Sequence, residues 1–240
     1  VSKNRSGRTV ARAARPRRYF TPFTVGAAVV LIALIAVIAV SFQARHRDKE
    51  QAAAAVAPPA VFTADGRLRF GDAPTTVTVT TDFQCPVCRE FTATTGPTLT
   101  ELVRSGAIAV EYDTVAVLDR ASTDRYSARA SNAGVCFAVA DKDAWPDFEQ
   151  RVFEAQPAEG GPGLTDDRLV EIAAHAGASG SDVADCITSD RYAGFVEAHG
   201  RAAIAVGLTH VPVVKVGDQT VENLTPDGLR AAVARAQEQR

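Results

Sequence analysis

Between Thr75 and Thr81 the chain reads TTVTVTT, threonine and valine in alternation. A two-residue period built only from β-branched side chains predicts a strand with one apolar face. A shorter strand is expected at Arg67–Phe70, set apart by the turn cluster Gly71-Asp72-Ala73-Pro74. From Pro86 to Arg104 the spacing becomes helical, with Phe91, Leu99, Leu102 and Val103 as apolar contacts and proline at the first position. Gly96-Pro97 should interrupt or kink this helix, and Ser105-Gly106 should end it. Ala107–Val117 reads as a second long strand. Residues 121–208 then change character. Alanine-rich stretches at 126–140 and 166–176 carry helical spacing, and 181–206 reads as two further helical pieces. Strand-like sequence returns at Pro212–Val216, turns at Gly217-Asp218 and runs into Gln219–Glu222. A last helix, Pro226–Gln237, comes after Thr225 as its N-cap. The predicted order is β-β-α-β, a helical block, then β-β-α, an α/β fold.

One segment breaks this amphipathic pattern. Phe23–Phe42, FTVGAAVVLIALIAVIAVSF, is a run of twenty residues without a charge. As a helix it spans about 30 Å, the thickness of a bilayer core. A buried core helix would keep a polar face over five turns. A cleaved signal peptide is the stronger rival, since Ala55-Val56-Ala57 has the form of a cleavage site. The long run and Pro58 after that site favour an uncleaved transmembrane anchor. Lys3, Arg5, Arg8, Arg12, Arg15, Arg17 and Arg18 precede it with no acid, which predicts a cytoplasmic N-terminus and an extracytoplasmic body. The chain then divides into a basic cytoplasmic tail (1–22), an anchor (23–42), a linker ending in Pro58-Pro59 (43–60), and one folded domain (61–240).

The net charge of −2 conceals this asymmetry, because the seven basic residues of the tail leave 19 against 28 acidic side chains elsewhere. A negative body is a poor partner for nucleic acid, whose binding depends on neutralising phosphates.

The chain has four cysteines, and two of them lie in Asp82–Phe91, DFQCPVCREF. Cys85 falls where the strand ends and the helix begins, so unpaired backbone N–H groups and the helix dipole favour its thiolate. Cys88 is one turn further on. A zinc site would need two more ligands, but Cys136 and Cys186 are single and His46, His175, His199 and His210 form no close pair. No metal and no cofactor are expected. A purely structural Cys85–Cys88 bond would close almost no loop and stabilise little. Redox work is the remaining reading, with Cys85 as the exposed attacking and leaving sulfur and Cys88 as its resolving partner. In an oxidising compartment the simple reading of Cys136 and Cys186 is that they pair; two buried free thiols are the alternative.

A strand, F-x-C-P-x-C, a helix, a strand, a helical insertion and Val-Pro entering a strand resemble the DsbA-like thiol:disulfide oxidoreductases of the thioredoxin superfamily. The likeness covers roughly residues 67–238. Arg67-Leu-Arg-Phe-Gly-Asp-Ala-Pro before the Thr/Val strand is similar to membrane-anchored or secreted bacterial members. The resemblance implies a thioredoxin fold with an inserted helical domain at about 121–208, preceded by one transmembrane helix. It also implies that Cys136 and Cys186 form the second, structural disulfide of actinobacterial members. Pro212 would be a cis-proline, with Val211 pairing to an extended substrate; without the resemblance, an ordinary trans proline is the plain reading.

Two departures from the family pattern stand out. Members often carry a buried acid six residues before the first cysteine, where this chain has Val79; Asp82 is nearer, and its plain reading is a solvent-facing side chain. The strongest oxidants carry histidine where this chain has Val87, which cannot donate to the thiolate. A weaker oxidant is therefore expected. Phe83, Val87 and Val211 are expected to touch unfolded chain around Pro86. The implied partners are reduced, unfolded secreted proteins and a membrane reoxidant of DsbB or VKOR type, served by a monomer. The alternatives are a disulfide reductase, for example in cytochrome c maturation, and a redox-inactive extracytoplasmic binding domain.

Overall fold

The computed structural model describes residues 57–239 together with Leu31. The basic tail, the anchor and most of the linker lie outside these residues. Among the described residues no helix is long and apolar enough to cross a membrane. The fold lies within the compact unit Glu50–Arg240.

Five strands form one sheet in the order β1-β3-β2-β4-β5. They are β1 (Leu68–Phe70), β2 (Thr76–Thr81), β3 (Ala109–Thr114), β4 (Val213–Val216) and β5 (Gln219–Thr220). β2 and β3 are parallel, and the other pairings are antiparallel. The alternation in the sequence becomes a two-faced surface. Leu68, Tyr112, Val79 and Val214 form one row across four strands, and Phe70, Val110, Val77 and Val216 form the next. On the other face Arg69, Glu111, Thr78 and Lys215 line up, with an Arg69–Glu111 ion pair at 2.9 Å. The apolar rows join a core that takes in Leu99, Leu229 and Val233 from helices and Trp145, Phe148 and Phe153 from the insertion.

The helix α1 (Pro86–Arg104) runs without interruption through Gly96-Pro97, contrary to the expected break. The carbonyl that Pro97 leaves without its helical donor belongs to Ala93, and both residues sit on the exposed face, where water can satisfy it. The opposite face is held by buried Phe91, Thr92, Thr95, Thr98 and Leu99, and Thr95 Oγ donates to the Leu224 carbonyl at 2.7 Å. Tertiary packing therefore outweighs the local proline penalty.

β3 is shorter than the predicted Ala107–Val117, for a reason visible at both ends. The N–H groups of Ala107 and Ile108 bond to the Leu102 carbonyl at 2.9 and 3.3 Å, closing α1. Beyond the strand, the N–H groups of Val117 and Leu118 are taken by the Asp82 carboxylate rather than by a neighbouring strand.

The insertion holds α2 (Tyr126–Ala140), α3 (Trp145–Glu154), α4 (Asp166–His175), α5 (Ser181–Thr188) and α6 (Ala193–Ala205). Alanine content does not mark α3. Its signal is Trp145, Phe148 and Val152 at helical spacing behind Pro146 at the helix start. Cys136 on α2 and Cys186 on α5 are joined by a disulfide across fifty residues. In the chain-entropy picture such a loop closure contributes about 4 kcal/mol. The last helix, α7 (Pro226–Glu238), is capped by Thr225, whose Oγ accepts the Gly228 N–H at 3.2 Å.

Candidate active site

β2 delivers the chain into a turn, and the turn ends in Cys85, the N-cap of α1. Its extended backbone (φ −79°, ψ 117°) carries Sγ back over the first turn of the helix, where it accepts the Cys88 N–H at 3.3 Å. Pro86 fills the first helical position, where a donor would have no partner inside the helix. From the far end of the sequence, 126 residues away, the Val211 carbonyl accepts from Cys85 Sγ at 3.5 Å. The Val211–Pro212 peptide bond is cis.

The two thiols differ sharply. The Cys85 thiol is lowered from an ordinary 9.0 to about 7, chiefly by hydrogen bonding from the Cys88 side chain. Backbone N–H groups of Cys88 and Val87 add to this, while burial and the charge of Asp82 oppose it. Cys88, fully buried, is pushed up, first by loss of solvent and then by the bond it makes to Cys85. One sulfur is thus prepared to be a thiolate and the other to hold its proton. Cys85 is only 5 % exposed, less open than an exposed attacking sulfur would be, because the Val211 segment lies against it. Val87 beside it is 58 % exposed and Val211 is half-buried.

Phe83 is not at this surface. It is fully buried, with ring centroids 5.1 Å from Phe153, 6.4 Å from Phe148 and 6.5 Å from Trp145. It anchors the turn to the insertion and cannot touch an unfolded chain. Its odd position continues the inward parity of Val77 and Val79, a signal the strand pattern contained.

Asp82 is also buried rather than solvent-facing. Its Oδ1 accepts the Gln84 N–H at 2.8 Å, and its Oδ2 accepts from Val117 N–H (2.8 Å), Leu118 N–H (2.9 Å) and Ser127 Oγ (2.7 Å). Burial pushes this carboxyl above its ordinary range, against the pull of those donors. Val79 stands in the core, as its place in the apolar row requires. Two further buried polar groups surround the turn. Gln156, just after α3, donates from Nε2 to the carbonyls of Phe83 (2.8 Å) and Cys85 (3.0 Å). Glu149, on α3, is a buried acid whose carboxyl is pushed up to about 8 by loss of solvent. Neither has a signal near the cysteines, since contact across some seventy residues leaves no local pattern.

Strand, dithiol turn, helix and cis-proline together define a thioredoxin-fold dithiol protein. Residues 70–235 match the family model described as Thioredoxin. The oxidised structure of DsbA from Mycobacterium tuberculosis is 35 % identical, with TM-score 0.63 over 70 % of this chain and 91 % of that one. The reduced disulfide bond oxidoreductase DsbG from the same organism is 34 % identical, with TM-score 0.65 over 73 % of this chain and 89 % of that one. The MdbA thiol-disulfide oxidoreductase of Actinomyces oris shares the fold at 17 % identity, with TM-score 0.63 over 77 % and 95 %. A comparison with curated protein sequences gives no match. The chain belongs to the DsbA-like thiol:disulfide oxidoreductases of the thioredoxin superfamily.

Proposed function

We propose that this chain is a membrane-anchored dithiol oxidase working outside the cytoplasm, with Cys85 as the reacting sulfur and Cys88 as its resolving partner. The observation that carries the reading is the split between the two thiols, Cys85 lowered to about 7 and Cys88 raised. In the oxidised enzyme a substrate thiolate attacks Sγ of Cys85, and Cys88 leaves as a thiolate and takes up a proton. A second substrate thiolate then attacks the substrate sulfur of the mixed disulfide, and Cys85 departs, favoured as the more acidic thiol. The substrate gains one disulfide, and the enzyme gains two electrons, with a proton on Cys88 and Cys85 released as the thiolate.

The cis Val211–Pro212 segment, with its carbonyl on Cys85 Sγ, supports a role for Val211 in pairing with extended substrate. Exposed Val87 supports a role in apolar contact with unfolded chain. Residues 23–42 would hold the enzyme in the membrane with its domain outside, in the plane of a quinone-linked reoxidant of DsbB or VKOR type. Its substrates would be reduced secreted or envelope proteins, met by a monomer. Cys136 and Cys186 have a structural role in this reading. The test is oxidative refolding of reduced ribonuclease by the wild type, with Cys85→Ala as control; absence of disulfide formation by the wild type refutes it.

One observation favours a second reading. A Cys85 near 7 is closer to thioredoxin, about 7, than to the strongest oxidants, about 3.5. A reductase, for example of apocytochrome cysteines, would use the same two sulfurs in reverse. Titration against glutathione separates the two directions.

A further inference from the structure

We propose that Gln156 is a positioning residue, which holds the Cys85 backbone in place for disulfide exchange and makes the helical insertion a part of the redox site. The proposal rests on Cys85 being the reacting sulfur.

The geometry begins at the end of α3. Ala155 closes the helix, and the Gln156 N–H bonds to the Phe153 carbonyl at 3.1 Å. Phe153 packs on Phe83 at the same place, 5.1 Å between ring centroids. The Gln156 amide then reaches the turn itself. Its one nitrogen serves two carbonyls, Phe83 at 2.8 Å and Cys85 at 3.0 Å, so both of its hydrogens are used. These carbonyls flank Gln84 and span the step from β2 to α1. The Cys85 carbonyl also accepts the Arg89 N–H at 3.2 Å, the first bond of α1. Gln156 is 8 % exposed, so little water is at hand to take over its two bonds.

Two effects on the sulfur result. The extended cap conformation at Cys85, which sets Sγ 3.3 Å from the Cys88 N–H, is pinned through its own carbonyl. Carbonyl oxygens are the negative ends of peptide dipoles, and the two that flank Gln84 are each neutralised in part by an amide hydrogen. Without that donor the turn can relax, and the oxygens set an uncompensated negative field beside a developing thiolate. Gln156 does not touch the reacting atoms; it acts through the Cys85 backbone.

If Gln156 only fills space, an apolar residue of similar size serves as well. Gln156→Leu in the full chain makes that comparison, and Gln156→Glu is a near-isosteric second variant in case leucine disturbs the fold. Near-ultraviolet circular dichroism, which reports on Trp145, checks the fold. Thiolate absorbance and the glutathione equilibrium are then measured for each. With Gln156→Leu the Cys85 midpoint rises and the equilibrium shifts towards the disulfide by roughly tenfold, the worth of one buried hydrogen bond. Gln156→Glu shows a larger shift in the same direction with its carboxylate ionised, since it adds a negative charge to the lost donors, and recovers part of the wild-type behaviour when protonation restores one donor. Folded variants that superimpose on the wild type in both measurements overturn the inference, whatever happens to stability. A wild type whose Cys85 and Cys88 never exchange overturns the functional reading and this inference with it.

Discussion

Ser127 Oγ lies 2.7 Å from Asp82 Oδ2 and joins the first helix of the insertion to the turn that carries the cysteines. The same oxygen binds the backbone just after β3, so one carboxylate ties three segments together. Asp82→Ala should cost about 3 kcal/mol, since it leaves three backbone donors and a hydroxyl without their partner in a buried place. It should also lower the Cys85 midpoint below about 7, because the charge of Asp82 opposes the thiolate. Urea unfolding and thiolate absorbance measure the two effects separately; a midpoint that rises contradicts the electrostatic part.

Val87 is where a side-chain donor is missing. Its backbone N–H supports the Cys85 thiolate, but its side chain cannot. Val87→His should lower the Cys85 midpoint and raise the reduction potential by about 30 mV, a tenfold change in the exchange constant. Because Val87 is 58 % exposed, stability should stay within about 0.5 kcal/mol of the wild type. A glutathione titration reads the potential, and no change would mean that backbone donors already saturate the sulfur.

Glu149 predicts an unusual pH dependence. Its carboxyl is raised from 4.5 to about 8, so the folded chain keeps a proton that the unfolded chain has lost in that window. Native binding of more protons means that stability falls as pH rises. The contribution is fully present below about 4.5 and is lost by about 8. At about 1.4 kcal/mol per unit the upper limit is about 5 kcal/mol. Glu149→Gln should flatten this slope and be the more stable protein at alkaline pH. Melting curves from acid to alkaline pH decide it; parallel curves for the two proteins would refute the assignment.

Phe83→Ala should cost about 3–5 kcal/mol, as expected for a buried aromatic ring cut back in a packed core. Val87→Ala, four residues away, should cost almost nothing and act on substrate affinity instead. Calorimetry with a peptide-binding assay separates the pair. A Phe83→Ala protein of wild-type stability would place that ring outside the core.

The strand, the dithiol turn and the start of α1 were legible because their determinants are local. Alternation marks β2, and a proline marks the first helical position after Cys85. The shared parity of Val77 and Val79 even foretold the inward side of Phe83, although nearness to Cys85 suggested the opposite. Asp82, Glu149 and Gln156 could not be read in the same way. Asp82 finds three of its four partners 35 to 45 residues on, and Gln156 reaches back more than seventy. Only the folded chain brings these partners together. The uninterrupted α1 belongs to the same kind of miss, since the face on which Pro97 lies is set by packing.

The Cys136–Cys186 bond gives this catalyst a beginning to account for. A newly made chain carries four thiols, two destined for the redox turn and two for the insertion. The insertion that holds Phe83 and Gln156 in place is itself tied by a bond of the kind the enzyme is proposed to make. Each new copy would therefore be a client before it is a catalyst, finished by an older copy whose turn is in its disulfide form.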